Sequence, residues 1–266
     1  MIRTLTGKGI WDRRKTLMWW GIGMTLYVIL NVAFFPSLKE ESFSELFESV
    51  PEAMLAAFGI QDIAALSTGV GYVNSQLYDG FGTILVAAWA IAIGATTLSS
   101  EEDSKTMDML LSLPVSRTRV VLEKWLAMVV LMVGISAVIF LVLVVSNPIW
   151  ELDLTLEGMV WVNLGLALLS ILFGTLAMAV SAVSGRRGLA IGASGGLLAL
   201  LFLLYGLGSV VDSLESIRGA SPFYWYLDSV PLAGTVSALG FLGMAFVTLL
   251  FLAIAVLGFN RRDVGV

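Results

Sequence analysis

Between Lys124 and Asn147 the chain reads KWLAMVVLMVGISAVIFLVLVVSN, and no charged residue occurs from Trp125 to Ser146. About 20 apolar residues in helical form cross the roughly 30 Å hydrocarbon core of a bilayer. Lipid satisfies no backbone group, and the period-2 alternation of a barrel strand is absent, so the run reads as a membrane-spanning helix. Five more runs of the same kind surround it: Thr16–Phe35, Leu77–Leu98, Gly158–Val183, Gly188–Val211 and Val236–Phe259. The first is longer than the apolar core of a signal peptide, and no small-residue cleavage site follows it. Composition agrees, with 58% of the 266 residues hydrophobic and 13% charged, where soluble domains carry about 25% charged residues. The expected fold is an all-α polytopic membrane protein of six transmembrane helices, forming one membrane domain over residues 1–266.

Charge sets the orientation. Arg3, Lys8, Arg13, Arg14 and Lys15 precede the first run, and Lys105, Arg117, Arg119 and Lys124 lie between the second and third. Arg186 and Arg187 separate the fourth and fifth, and Arg261 and Arg262 follow the sixth, leaving only Lys39 and Arg218 of the 15 basic residues on the other side. By the positive-inside rule both termini face the cytoplasm. Trp19, Trp20 and Trp125 fall near inner ends of the runs, and Trp150, Trp161 and Trp225 near outer ends, as aromatic belts do. Trp89 falls in mid-span, where packing is its expected role.

Four pieces lie outside the lipid. Residues 1–15 read either as an interfacial helix carrying Ile2, Leu5, Ile10 and Trp11, or as a solvated basic flank. The outer loop 36–76 has Phe43, Leu46, Phe47 and Val50 at helical spacing among acids, followed by AMLAAFGI. Gly59, Gly69 and Gly71 then read as punctuation before the second run. That loop reads as a cap or lateral gate, or as a surface connector. The outer loop 212–235 contains SPFYWY, read as an aromatic anchor or as a short re-entrant helix bounded by Pro222 and Pro231. Gly188, Gly192 and Gly196 repeat every fourth residue and suit close helix packing, either within one bundle or across a homodimer.

Several functions are excluded or disfavoured. With no His and no Cys, zinc motifs of the HExxH kind and disulfides are impossible. The spans are almost bare of the ionisable residues that couple transport to protons or sodium; Asp79 lies at the outer edge of its run, where headgroups are the expected surroundings. No Gly-rich phosphate loop with Lys and Ser/Thr occurs, so nothing here would hydrolyse ATP. No catalytic residue, cofactor site or metal site is expected in this chain, and no nucleic-acid partner.

The fourth piece, residues 99–124, is SSEEDSKTMDMLLSLPVSRTRVVLEK. Ser99 with Glu102, and Ser100 with Asp103, fit capping boxes at a helix start. A helix over about 103–113 should stop before Pro114, because the residue preceding proline disfavours helical angles. Met107, Leu110 and Leu111 would form its apolar knob with Glu102 and Asp103 as a charged rim, a pattern suited to a groove on a partner protein.

This segment resembles the second cytoplasmic segment of type-2 ATP-binding-cassette (ABC) permeases. The matching residues are Glu101, Glu102, Thr106, Leu110, Leu111, Pro114, Val115, Ser116, Arg117 and Lys124; Lys105 departs from the glycine common there. The turn SGRRGLA and the loop SPFYWY fit the same family. The resemblance implies the membrane subunit of an ATP-driven exporter in a prokaryotic plasma membrane, moving an amphiphilic or hydrophobic substrate such as a drug, antibiotic, peptide or lipid-like molecule. It implies a permease homodimer with two copies of a cytoplasmic ABC ATPase, which holds the ATP and Mg. Segment 103–113 would be the coupling helix, docking through Glu102, Asp103, Met107, Leu110, Leu111, Pro114 and Arg117, with Arg186 and Arg187 as a minor second contact. The alternative is a membrane anchor or regulatory module that tethers a cytoplasmic protein without transport.

Overall fold

A computed structural model describes residues 4–38, 51, 54, 64–103 and 116–262, with backbone alone at 38, 64–65 and 99–103. In chain order the helices are α1 (Leu5–Asp12), α2 (Arg14–Leu38), α3 (Gly69–Val73), α4 (Phe81–Asp103) and α5 (Arg117–Ile149). They continue as α6 (Leu156–Ser184), α7 (Arg187–Leu207), α8 (Asp212–Arg218), α9 (Pro222–Leu227) and α10 (Ala238–Arg261). Six of these rods, with α3 and α4 counted as one, are long and apolar enough to cross a membrane. They match the six expected runs, and no strand occurs among the described residues.

Serine and threonine start the helices. Thr4, Thr68, Ser116, Thr155 and Ser237 each accept a hydrogen bond from the backbone N–H three residues on, and Ser221 from that of Phe223. Each satisfies one of the amides a helix start leaves free. At the other end of α6, Gly185 adopts a left-handed φ of 68°, a conformation that costs glycine nothing.

Helix α6 is the axis of the bundle, packed by α4, α5, α7 and α10. Its apolar window is 78% buried, whereas the corresponding window of α2 is 17% buried. Small residues let the central helices touch: a Cβ on Gly94 would overlap the Gly174 carbonyl, so α4 and α6 cross backbone to backbone. Trp89 packs as expected, stacked on Trp20 at 5.4 Å between ring centres. Trp125 is less a belt residue than a tie, its indole N–H donating to Thr175 Oγ1 at 2.8 Å.

Two expectations change at the end of the bundle opposite α1. Gly69 and Gly71 do not interrupt the chain; they lie in α3, capped by Thr68, which leads straight into a π-helical turn at Asn74–Tyr78 and then α4. Gly69 is needed for contact: a Cβ there would overlap the backbone of Leu152 in the α5–α6 turn. The loop SPFYWY is not a surface anchor alone. It forms the short helix α9 with Phe223 and Tyr226 fully buried, followed by a 3-10 turn at Pro231–Ala233. The predicted outer helix on Phe43, Leu46, Phe47 and Val50, and most of AMLAAFGI, lie outside the described residues.

Candidate functional site

The end of the bundle that carries α1 also carries the ends of α4, α6 and α10 and the start of α5. The amides of Leu5 and Thr6 at the start of α1 donate to Glu123 Oε2 at 2.7 and 3.4 Å, and Thr6 Oγ1 donates to the Glu123 carbonyl at 3.0 Å. A carboxylate is well placed there, against the positive end of a helix. Arg119 holds the same carboxylate at 2.8 Å through its other oxygen. Arg13, at the bend between α1 and α2, donates to Thr96 Oγ1 at 3.1 Å and Thr97 Oγ1 at 3.4 Å. Lys124 reaches back to the Thr97 carbonyl at 2.8 Å.

Arg117 looks inward. Its Nη1 donates to the Arg262 carbonyl at 2.8 Å and the Phe259 carbonyl at 3.4 Å, while Asn260 Nδ2 donates to Thr118 Oγ1 at 3.0 Å. The two flanks of segment 104–115 are therefore tied to each other, to α1 and to the last turn of α10.

Apart from Arg117, the sequence-predicted docking residues fall in three places. Met107, Leu110, Leu111 and Pro114, with Thr106 and the rest of the expected coupling helix, lie outside the described residues. Glu102 and Asp103 form the last turn of α4, not the first turn of a new helix, which corrects the expected capping boxes at Ser99 and Ser100. No helix breaker separates Leu98 from Ser99, so the span's own hydrogen-bond ladder continues through them. Arg186 and Arg187 are exposed at the α6–α7 turn. Gly188, Gly192 and Gly196 meet nothing within 4 Å of an added Cβ, so packing among the described residues does not account for them.

Sequence reading missed a polar cluster at the opposite end. Asp79 is buried, 7% exposed, and not among headgroups as expected. Asn74 Nδ2 donates to its Oδ2 at 2.6 Å and the Tyr205 hydroxyl to its Oδ1 at 3.2 Å. The π turn bends the chain so that Asn74 can reach five residues on, and Thr83 donates to the freed Tyr78 carbonyl at 2.6 Å. Arg218 lies over the Tyr205 ring at 4.9 Å, donates to the Tyr205 carbonyl at 3.1 Å and pairs with Asp228 at 3.2 Å. Beside it Tyr226 donates to the Val162 carbonyl at 2.7 Å, and burial raises its phenol pKa, keeping it a donor. The cluster pins α7 and the α8–α9 loop to the second span. The local signal was Asn74 and Asp79 five apart; Tyr205, 126 residues away, left none.

A family model described as ABC-2 family transporter protein matches residues 3–264. No curated protein and no solved structure matches the chain. The match spans nearly all of a six-span, helical chain whose 99–124 segment carries the permease pattern. The chain belongs to the ABC-2 family of transporter proteins, as a multi-pass membrane permease subunit of a kind that implies an associated ABC ATPase.

Proposed function

We propose that this chain is the export permease of an ATP-driven transporter, with both termini in the cytoplasm of a prokaryotic cell. Two copies associate, each bound by one cytoplasmic ATPase that supplies ATP and Mg. The observation that carries the reading is the double tether of segment 104–115. Lys124 and Arg13 meet at Thr97 on one side, and Arg117 and Asn260 join the start of α5 to the end of α10 on the other. Closure of the ATPases on ATP would push the segment, and the tethers would pass that push into α1, α4, α5 and α10.

Met107, Leu110, Leu111 and Pro114 dock in the ATPase with Glu102 and Asp103 at the rim, and Arg186 and Arg187 make the second contact. The bare glycine face of α7 supports a homodimer contact, because small residues exposed toward lipid allow close approach of a second copy. Phe81, Leu85, Ala88 and Ala92 form an exposed, uncharged stripe on α4, flanked by α7 and by α2 through the Trp20–Trp89 stack. A wall of that kind suits an amphiphilic or hydrophobic cargo. Co-purification with an ABC ATPase, followed by ATP hydrolysis in lipid, tests the proposal. Leu110→Asp and Leu111→Asp should abolish the complex and its coupled activity; assembly and transport unchanged in both variants would overturn it.

A further inference from the structure

Helix α1 lies across the start of α5 and the end of α4, and a cleft of about 150 Å³ remains between them. Its walls include Leu5, Lys8, Asp12, Arg13, Thr97 and Lys124. Three of these side chains are cationic and one is anionic. Arg13 is partly buried, and its hydrogen-bond partners are the neutral hydroxyls of Thr96 and Thr97. Among the described residues no carboxylate stands within ion-pair distance of Arg13 or Lys8. Burial lowers the pKa of the Arg13 guanidinium, and the pull of Asp12 only partly offsets it. A desolvated cation held by neutral groups is costly, and an anion in the cleft would relieve that cost.

The surroundings say which anion. The cleft lies where the first span begins, and Trp11 of α1 with Met18 and Trp19 at the start of α2 are large, apolar and exposed. The Arg14 guanidinium sits 3.9 Å from the Trp11 ring centre, an aromatic body with a charged tip of the kind found at headgroup depth. A soluble anion has no use for that apolar surface; a lipid has. Basic pockets beside spans are the usual receptors for anionic headgroups.

We propose that this cleft binds the phosphate of an anionic membrane phospholipid, with Arg13 and Lys8 as its cationic contacts and the acyl chains along the exposed apolar residues of α1 and α2. A bound lipid would brace α1 against Thr97 and Lys124, next to both flanks of segment 104–115. The proposal stands whether or not the chain exports a substrate.

The test is lipid retention by the intact, purified chain, measured by native mass spectrometry after exchange into phosphatidylglycerol or phosphatidylcholine. The wild type should retain phosphatidylglycerol preferentially, and R13Q should weaken that retention by roughly fivefold, the contribution of one basic residue near a charged leaflet. K8Q, at the exposed rim, should weaken it by a smaller factor and serves if R13Q does not fold. R261Q, on α10 away from the cleft, should match the wild type. Equal retention of the two lipids overturns the proposal, as does unchanged retention in both R13Q and K8Q, or an equal loss in R261Q. Inorganic phosphate is the last arm: if it alone stabilises the wild type but not R13Q and abolishes the lipid preference, the site takes a free anion and the lipid assignment falls.

Discussion

Two sets of glycines occupy the spans of this protein, and they do opposite things. Gly94, Gly158, Gly165 and Gly240 sit where an added Cβ would overlap another part of the chain: the Gly174 carbonyl, the Leu232 carbonyl, the Tyr226 ring and the Trp225 carbonyl. Gly188, Gly192, Gly195 and Gly196 of α7 face open space, with nothing within 4 Å. In lipid there is little hydrophobic force between helices, so close backbone approach is a main source of attraction. The first set has already spent that attraction inside the chain. The second set still has it to offer, and the surface it leaves on α7 is shaped for another helix.

The contrast can be broken most decisively at Gly94. Gly94→Ala puts a methyl group into a backbone carbonyl that cannot rotate away, so α4 and α6 must separate, at a cost of about 3 kcal/mol. Thermal unfolding in detergent should show a large drop; a variant as stable as the wild type would mean that the α4–α6 crossing is not tight.

A smaller effect is expected at the polar cluster that holds the end of α7. Asp79→Ala leaves the Asn74 amide and the Tyr205 hydroxyl without their buried acceptor, at a cost of about 2 kcal/mol. Tyr205→Phe removes a single hydrogen bond and should cost about 1 kcal/mol, in line with interhelical bonds in membranes. Unfolding in SDS titrations reads both; the order reversed would show that Tyr205, not Asp79, is the centre of the cluster.

The smallest change in stability belongs to the open face. Gly192→Leu combined with Gly196→Leu should leave the stability of the single chain within about 0.5 kcal/mol of the wild type. The same pair should reduce self-association, read by cross-linking in nanodiscs or vesicles. If the pair destabilises the chain as Gly94→Ala does, the two sets of glycines are alike after all.

The six spans were legible because length and freedom from charge are properties of one stretch of chain, independent of what it packs against. Their glycines were not. Gly69 read as punctuation, because the sequence does not show that Leu152 lies against it. The SPFYWY loop was legible in kind, since Pro222 and Pro231 bound a short helix, but its depth depends on Gly165, which makes room for the Tyr226 ring. Asp79 failed for the reason long-range partners always fail: a carboxylate at the edge of an apolar run looks solvated until Tyr205 is known to face it. The capping boxes at Ser99 and Ser100 failed differently. They are valid local starts, but a helix already in progress overrides a start signal that no breaker precedes.

At the basic end, Glu123 and Arg117 were visible as charges and silent as ties. Sequence placed Arg117 in the coupling segment; only the fold shows its guanidinium turned toward the carbonyls of Phe259 and Arg262.

That last bond spans 145 residues, from the start of the third span to the end of the sixth. The bond of Glu123 to Leu5 joins parts of the chain that are both made early. Translation at about 5–20 residues per second then separates the two ties by on the order of ten seconds. During that interval both flanks of segment 104–115 can hold α1, through Arg13 and Glu123, while Arg117 has no α10 to hold. The Arg117–Arg262 bond is thus a latch that closes only once the sixth span has been made.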